Sequence, residues 1–145
     1  MVSLGRAVLT ATGSWHILKC TILISLGGGS TLDSAEVAQL AVEVASEKLA
    51  EDIVMLDLRQ VVPFADYFVI MSADSSRQIE ALEEDLTNAL KESGINRFHR
   101  EGTAESGWVL LDFSDVIVHI FGPEEREYFQ LERLWSRAPQ VVRVL

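Results

Sequence analysis

Two apolar runs only three residues apart constrain this chain more than anything else in it. Trp108-Val109-Leu110-Leu111-Asp112 and Val116-Ile117-Val118-His119-Ile120-Phe121 are both rich in strand formers, and Phe113-Ser114-Asp115 alone separates them. A connection that short returns a strand antiparallel to its predecessor, so the pair reads as a tight hairpin. Period-two alternation then sets Trp108, Leu110 and Asp112 on one face and Val109 and Leu111 on the other. His119 faces away from both of its neighbours, Val118 and Ile120.

The remaining pattern supplies what such a hairpin would need for burial. Asp33 followed by Glu36 has the spacing of a capping pair, and Val37, Leu40, Ala41, Val44, Ala45 and Leu49 recur on one helical face, which predicts a helix over 34–50. Residues 53–58 and 66–71 read as buried strands on either side of Pro63. Ser75, with Gln78 three residues on, caps a helix striped by Ile79, Leu82, Leu86, Ala89 and Leu90, and Gly94 stops it. Residues 97–101 could add a strand. Pro123 opens a last helix carrying Tyr128, Leu131, Leu134 and Trp135, and Pro139 lies beyond its end. The expected fold is α+β: one mixed sheet of four to five strands with about three helices packed on it.

Charge separates the chain into two parts. Residues 1–30 contain no acid, several hydroxyl residues, an apolar run at 17–26 broken by Lys19 and Cys20, and then Gly27-Gly28-Gly29-Ser30. That run is too short to span a bilayer, lacks a convincing cleavage site for a secretory signal, and has less arginine than a transit peptide should. Residues 1–30 are therefore expected to be an extension outside the fold, and 31–145 the folded domain. Those 115 residues hold 10 basic and 22 acidic groups, a balance of -12. Such a surface repels phosphate backbones, because nucleic-acid affinity comes from Lys and Arg displacing counterions. It favours a basic protein instead.

Catalytic chemistry has no obvious seat. His16, His99 and His119 form no metal-ligand spacing with one another or with the single Cys20, and no HExxH, G-x-S-x-G or Walker loop is present. Asp57, Asp66, Asp112 and Asp115 lie near strand ends and could gather round a magnesium ion; in so acidic a chain, turn capping and solubility account for them better. His119 within an apolar strand reads as a structural histidine satisfied by a hydrogen bond, because no nucleophile stands beside it. The Trp108–Leu110–Asp112 row admits two readings, core packing or an exposed docking row in which an apolar anchor has a directional polar neighbour. For Tyr128 and Trp135, core packing is the expectation.

Taken in order, Phe64-Ala65-Asp66-Tyr67-Phe68-Val69-Ile70, Ser76-Arg77-Gln78, Glu101-Gly102, Gly107-Trp108-Val109-Leu110-Leu111-Asp112, the run from Asp115 to Phe121, and Arg126, Tyr128, Leu131-Glu132, Leu134-Trp135 and Ala138-Pro139 resemble the ribosomal silencing factor (Iojap) family. The resemblance extends over nearly all of 33–141. It implies a nucleotidyltransferase-like fold without transferase activity. It also implies binding to a basic large-subunit ribosomal protein, the fourteenth in the bacterial naming, on the face that meets the small subunit. Subunit joining would then be blocked and translation lowered when nutrients are short.

Carried over by position, the partner surface centres on Trp108, Leu110, Asp112 and Phe113, with Asp66, His119 and Tyr128 as further candidates. Phe113-Ser114 stands where the family usually has Tyr-Gly. Ser114 thus occupies a turn position at which glycine would accept positive φ more readily. The expectation is a non-enzyme with no cofactor, no metal, no membrane and no direct nucleic-acid partner, ribosome-associated in the cytoplasm, with a mitochondrial setting as the lesser alternative. A weak homodimer stays open. The rivals are a large-subunit assembly factor and a magnesium-dependent nucleotidyltransferase-like enzyme using Asp57, Asp66 and Asp112.

Overall fold

A computed structural model describes residues 32–145, so the expectations for residues 1–30 lie outside the described residues. The chain divides at Leu32/Asp33, and every described element belongs to Asp33–Leu145. Helix α1 (Ser34–Glu47) starts on the expected capping box: the Asp33 carboxylate accepts from the Glu36 N–H at 2.8 Å, and Glu36 Oε2 accepts from the Asp33 N–H at 2.9 Å. The helix ends three residues before the predicted position. Leu49, at φ +63°, makes the left-handed stop that a glycine usually makes, with the Ala50 N–H bonded to the Ala45 carbonyl at 2.9 Å. No residue type announced that stop; the Gln78 side chain supports it by donating to the Leu49 carbonyl at 3.1 Å.

Strands β1 (Glu51–Asp57) and β2 (Tyr67–Ser72) follow. Helix α2 (Ser76–Glu92) starts on Ser75, whose side chain accepts from the Gln78 N–H, and stops at Gly94, φ +85°. Strand β3 (His99–Thr103) lies two residues later than expected, whereas β4 (Trp108–Asp112) and β5 (Val116–Phe121) have the predicted bounds. The predicted last helix is two: α3 (Pro123–Phe129) and α4 (Leu131–Leu134), divided at Gln130, whose φ of +43° breaks the helical path. A strand absent from the sequence reading, β6 (Gln140–Val144), closes the chain. The sheet therefore has six strands rather than four or five, because the short run after Pro139 pairs with β1.

Strand order is β3-β4-β5-β2-β1-β6. Only β2 and β5 run parallel; the other pairings are antiparallel, including the β4–β5 hairpin. α1 packs on β1, β2 and β5, and α2 on β4 and β5. Val109, Leu111, Val118, Ile120, Val69 and Met71 are all fully buried on this helical face. The opposite face has its own core, built from Val54, Leu56, Phe68, Ile70 and Phe121 under Leu131 and Ala138.

A buried arginine holds that second layer down. Arg126 of α3 donates to Ser72 Oγ on β2 at 2.8 Å and to Glu132 on α4 at 2.6 Å, and its guanidinium lies 3.2 Å from the Asp52 carboxylate. Asp52 also pairs with Arg143 of β6 at 2.9 Å. A buried arginine needs such partners, since an unpaired buried charge is strongly destabilising.

The β4–β5 turn stores strain at a known place. Ser114 sits at φ +76°, and its N–H is held by Asp112 Oδ1 at 2.7 Å. A Cβ there costs roughly 1 kcal/mol. Ser114→Gly should therefore raise unfolding stability by about 1 kcal/mol or slightly less in urea titration, and a loss of stability would show the turn is not strained.

Candidate docking face

Register, not sequence proximity, assembles the site. Pairing across β4–β5 sets Trp108 beside Phe121, Leu110 beside His119 and Asp112 beside Ile117. The parallel β2–β5 register adds Phe68, Ile70 and Ser72 to the same face, and β3 adds His99, Glu101 and Thr103. Helices α3 and α4 cover the β1–β2–β5 part of this face, leaving Trp108, Leu110 and Asp112 half-buried and the β3 residues exposed.

Trp108 is the best-anchored of these residues. Its indole N–H donates to His119 Nδ1 at 3.2 Å, and its ring stacks on Phe121 at 5.1 Å and leans on Phe129 at 4.7 Å. Tyr128 meets Phe129 edge-on at 5.0 Å. On the other side the rings continue from His119 to Phe68 at 4.8 Å and from Phe68 to Trp135 at 5.6 Å. Two glycines allow close packing next to Trp108: a Cβ at Gly102, φ +84°, would collide with the Trp108 carbonyl, and one at Gly107, φ +79°, with the Glu125 carboxylate.

His119 is 3% exposed, and burial alone pushes its pKa down to about 3. It is therefore neutral. Because an indole can only donate, Nδ1 must be the bare acceptor and the proton sits on Nε2. This is a buried structural histidine whose Nδ1 is paired with the indole, as the sequence suggested, while its Nε2 finds no hydrogen-bond partner among the described residues.

The sequence-predicted residues divide accordingly. Trp108, Leu110 and Asp112 come together on one half-open face, and Tyr128 joins them from α3, 81% exposed rather than packed in the core. Leu134 is likewise exposed, and Trp135 is half-buried. Phe113 is 5% exposed and His119 is buried, so these two support the face from within and present no ring to a partner. Asp66 stands apart at the start of β2, where its carboxylate accepts from the Ser34 hydroxyl of α1 at 2.7 Å. Phe129, exposed and touching Trp108, escaped the sequence reading; it directly follows Tyr128, and only the early end of α3 turns it toward the row.

The carboxylates of the enzyme rival do not converge. Asp57 is clamped by the Arg59 guanidinium at 2.7 Å, which holds its pKa below the usual range, and Asp112 is engaged by the Ser114 N–H. Among the described residues, no three His, Cys, Asp or Glu side chains are grouped to hold a metal ion.

Residues 31–144 match the sequence profile of the family described as "Ribosomal silencing factor during starvation". The chain belongs to this family. A ribosomal silencing factor from Halalkalibacterium halodurans is 38% identical over 110 residues, 76% of this chain and 94% of that protein. A solved structure of a Chromobacterium violaceum protein is 32% identical, with a TM-score of 0.70 over 72% of this chain and 88% of that one. A mouse protein named for mitochondrial assembly of the ribosomal large subunit is 29% identical over 100 residues, 67% of this chain and 44% of that protein. The silencing-factor fold thus comprises the mixed sheet and both helical layers described above.

Acid should unfold this silencing factor partly through His119. With its folded pKa depressed, the unfolded chain takes up the proton first, so stability present above about pH 6.5 is lost as pH falls toward 3, by at most ~1.4 kcal/mol per pH unit. His119→Gln keeps an acceptor for the indole and removes the titration. Its urea midpoint should fall less steeply than that of the wild type between pH 7 and 4; parallel curves would place the acid sensitivity elsewhere.

Proposed function

We propose that this chain docks through the Trp108–Leu110–Asp112 row on a basic protein of the large ribosomal subunit, and that by occupying the inter-subunit face there it blocks subunit joining and lowers translation. The fourteenth large-subunit protein is the expected partner, and the cytoplasm the expected setting. One observation carries the reading: a half-open Trp whose only polar side-chain atom is already satisfied internally, beside a Leu and an acid on a rigid sheet. Such a ring can enter an apolar pocket without leaving its N–H unpaired, and its rotamer is fixed before contact, which lowers the entropic cost of binding.

Acidic character completes the fit. Glu101 flanks Leu110 across the β3–β4 pairing and Asp112 ends the row, so lysine or arginine around the partner's pocket would find opposite charge at the rim. Steric blockade demands affinity and placement and no reacting group. Family membership and the relatives' names support a ribosomal role.

An assembly role on the large subunit is a second reading, supported by the name of the mouse relative. It would use the same face on precursor particles instead of mature ones.

Trp108→Ala should weaken binding to purified large subunits by ~2 kcal/mol or more, roughly thirtyfold. Trp108 also stacks on Phe121 and Phe129, so this variant alone could lose stability. Leu110→Glu changes a half-exposed position with no part in that stack, and should weaken binding while the protein stays folded by circular dichroism. Two folded variants that bind as tightly as the wild type would overturn the assignment.

A further inference from the structure

The acids of this chain stop abruptly. All 22 lie at residues 33–132, whereas residues 133–145 contain Arg133, Arg137 and Arg143 and no acid at all. Most of the other cations are consumed internally: Lys48 by Asp85, Arg59 by Asp57, Arg97 and Arg100 by Glu83, Arg126 by Asp52 and Glu132, and Arg143 by Asp52. Arg77 and Lys91 lie on α2 among Glu80, Glu83, Glu84, Asp85 and Glu92, within a field that cancels them. Arg133 and Arg137 differ. Both are exposed and neither pairs with a carboxylate among the described residues; Arg133 makes only a long 3.4 Å bond to Gln130.

These two arginines are also well placed. They bracket Trp135, which meets Phe68 edge-on at 5.6 Å and Phe64 at 6.4 Å. Phe68 meets His119, which holds Trp108, so the segment that carries the arginines packs on the same sheet face as the docking row. Phe64 and Leu134 beside them are exposed.

We infer that Arg133 and Arg137 form a second, cationic contact that engages phosphodiester groups of ribosomal RNA bordering the protein partner. The inference rests on the ribosomal reading above. Arginine suits the task, because its planar fork matches phosphate oxygens and its charge is permanent. The balance of -12 over 31–145 keeps the protein from binding free RNA, so the contact acts only once the Trp108 row has delivered the chain to the particle. The two contacts then act together as linked weak sites, adding affinity and fixing orientation.

The test measures affinity across a salt series for two probes, purified large subunits and the isolated basic ribosomal protein that binds the Trp108 row. Against subunits, Arg133→Gln with Arg137→Gln should reduce the slope of log affinity on log salt by about 2, near one unit for each phosphate no longer engaged. Arg133→Lys with Arg137→Lys should keep most of that slope. Binding to the isolated protein should be the same for all three forms. An unchanged slope on subunits, or an equal weakening on the isolated protein, overturns the RNA contact. Failure of the wild type to bind subunits at all would instead strike the ribosomal reading itself.

Discussion

A neutral, buried imidazole accepting the Trp108 indole N–H is the interaction on which the proposed docking face depends. A half-exposed tryptophan with a free N–H would have to find a polar partner in any pocket it entered or suffer the full desolvation penalty. Here the bond is made within the fold at 3.2 Å, and burial keeps His119 uncharged so that it can accept. The ring then packs in one cluster with Phe121 and Phe129 and stays half-buried.

That arrangement needs the helical layers on both faces of the sheet. The parallel β2–β5 register sets Phe68 and Ile70 beside Ile117 and His119, and the β4–β5 hairpin sets Trp108 over the end of the same row. Beneath them, α1 and α2 cover the helical face and leave Val109, Leu111, Val118 and Ile120 no solvent. Above them, Arg126 ties α3 and α4 to β1 and β2 through two acids and a serine, and α3 thereby carries Phe129 and Tyr128 to the edge of the row. Across β4, β5 and β2 one face of the sheet thus goes to the core, while Trp108, Leu110 and Asp112 of β4 stay half-buried on the other. The electrostatic character follows the same division. Acids crowd α2 and the β3–β4 end, while the last thirteen residues carry only positive charge on their side chains.

Much of this was legible wherever a local signal coincided with a tertiary one. The Asp33–Glu36 box, the Ser75 cap, the Gly94 stop and the bounds of β4 and β5 all follow from residue type and spacing. The two helix misses share a cause: the chain enters left-handed backbone at residues that do not advertise it. Leu49 ends α1 early and Gln130 splits the last helix, and only tertiary contacts such as the Gln78 bond support conformations that sequence preference opposes. β6 was hidden because a short run after a helix stop becomes a strand only when β1 offers it an edge. In the site, period-two alternation placed Trp108, Leu110 and Asp112 correctly. It could not show that Phe113 turns inward, or that the break at Gln130 leaves Tyr128 outside the core.

Steric blockade is tested most directly by mixing purified small and large subunits with increasing amounts of this protein and following joined particles by light scattering. Joining should fall in proportion to occupancy of the large subunit and recover when the protein is competed away by the isolated basic partner. Full occupancy with undiminished joining would contradict the account, because steric blockade requires the bound chain to lie where the small subunit docks.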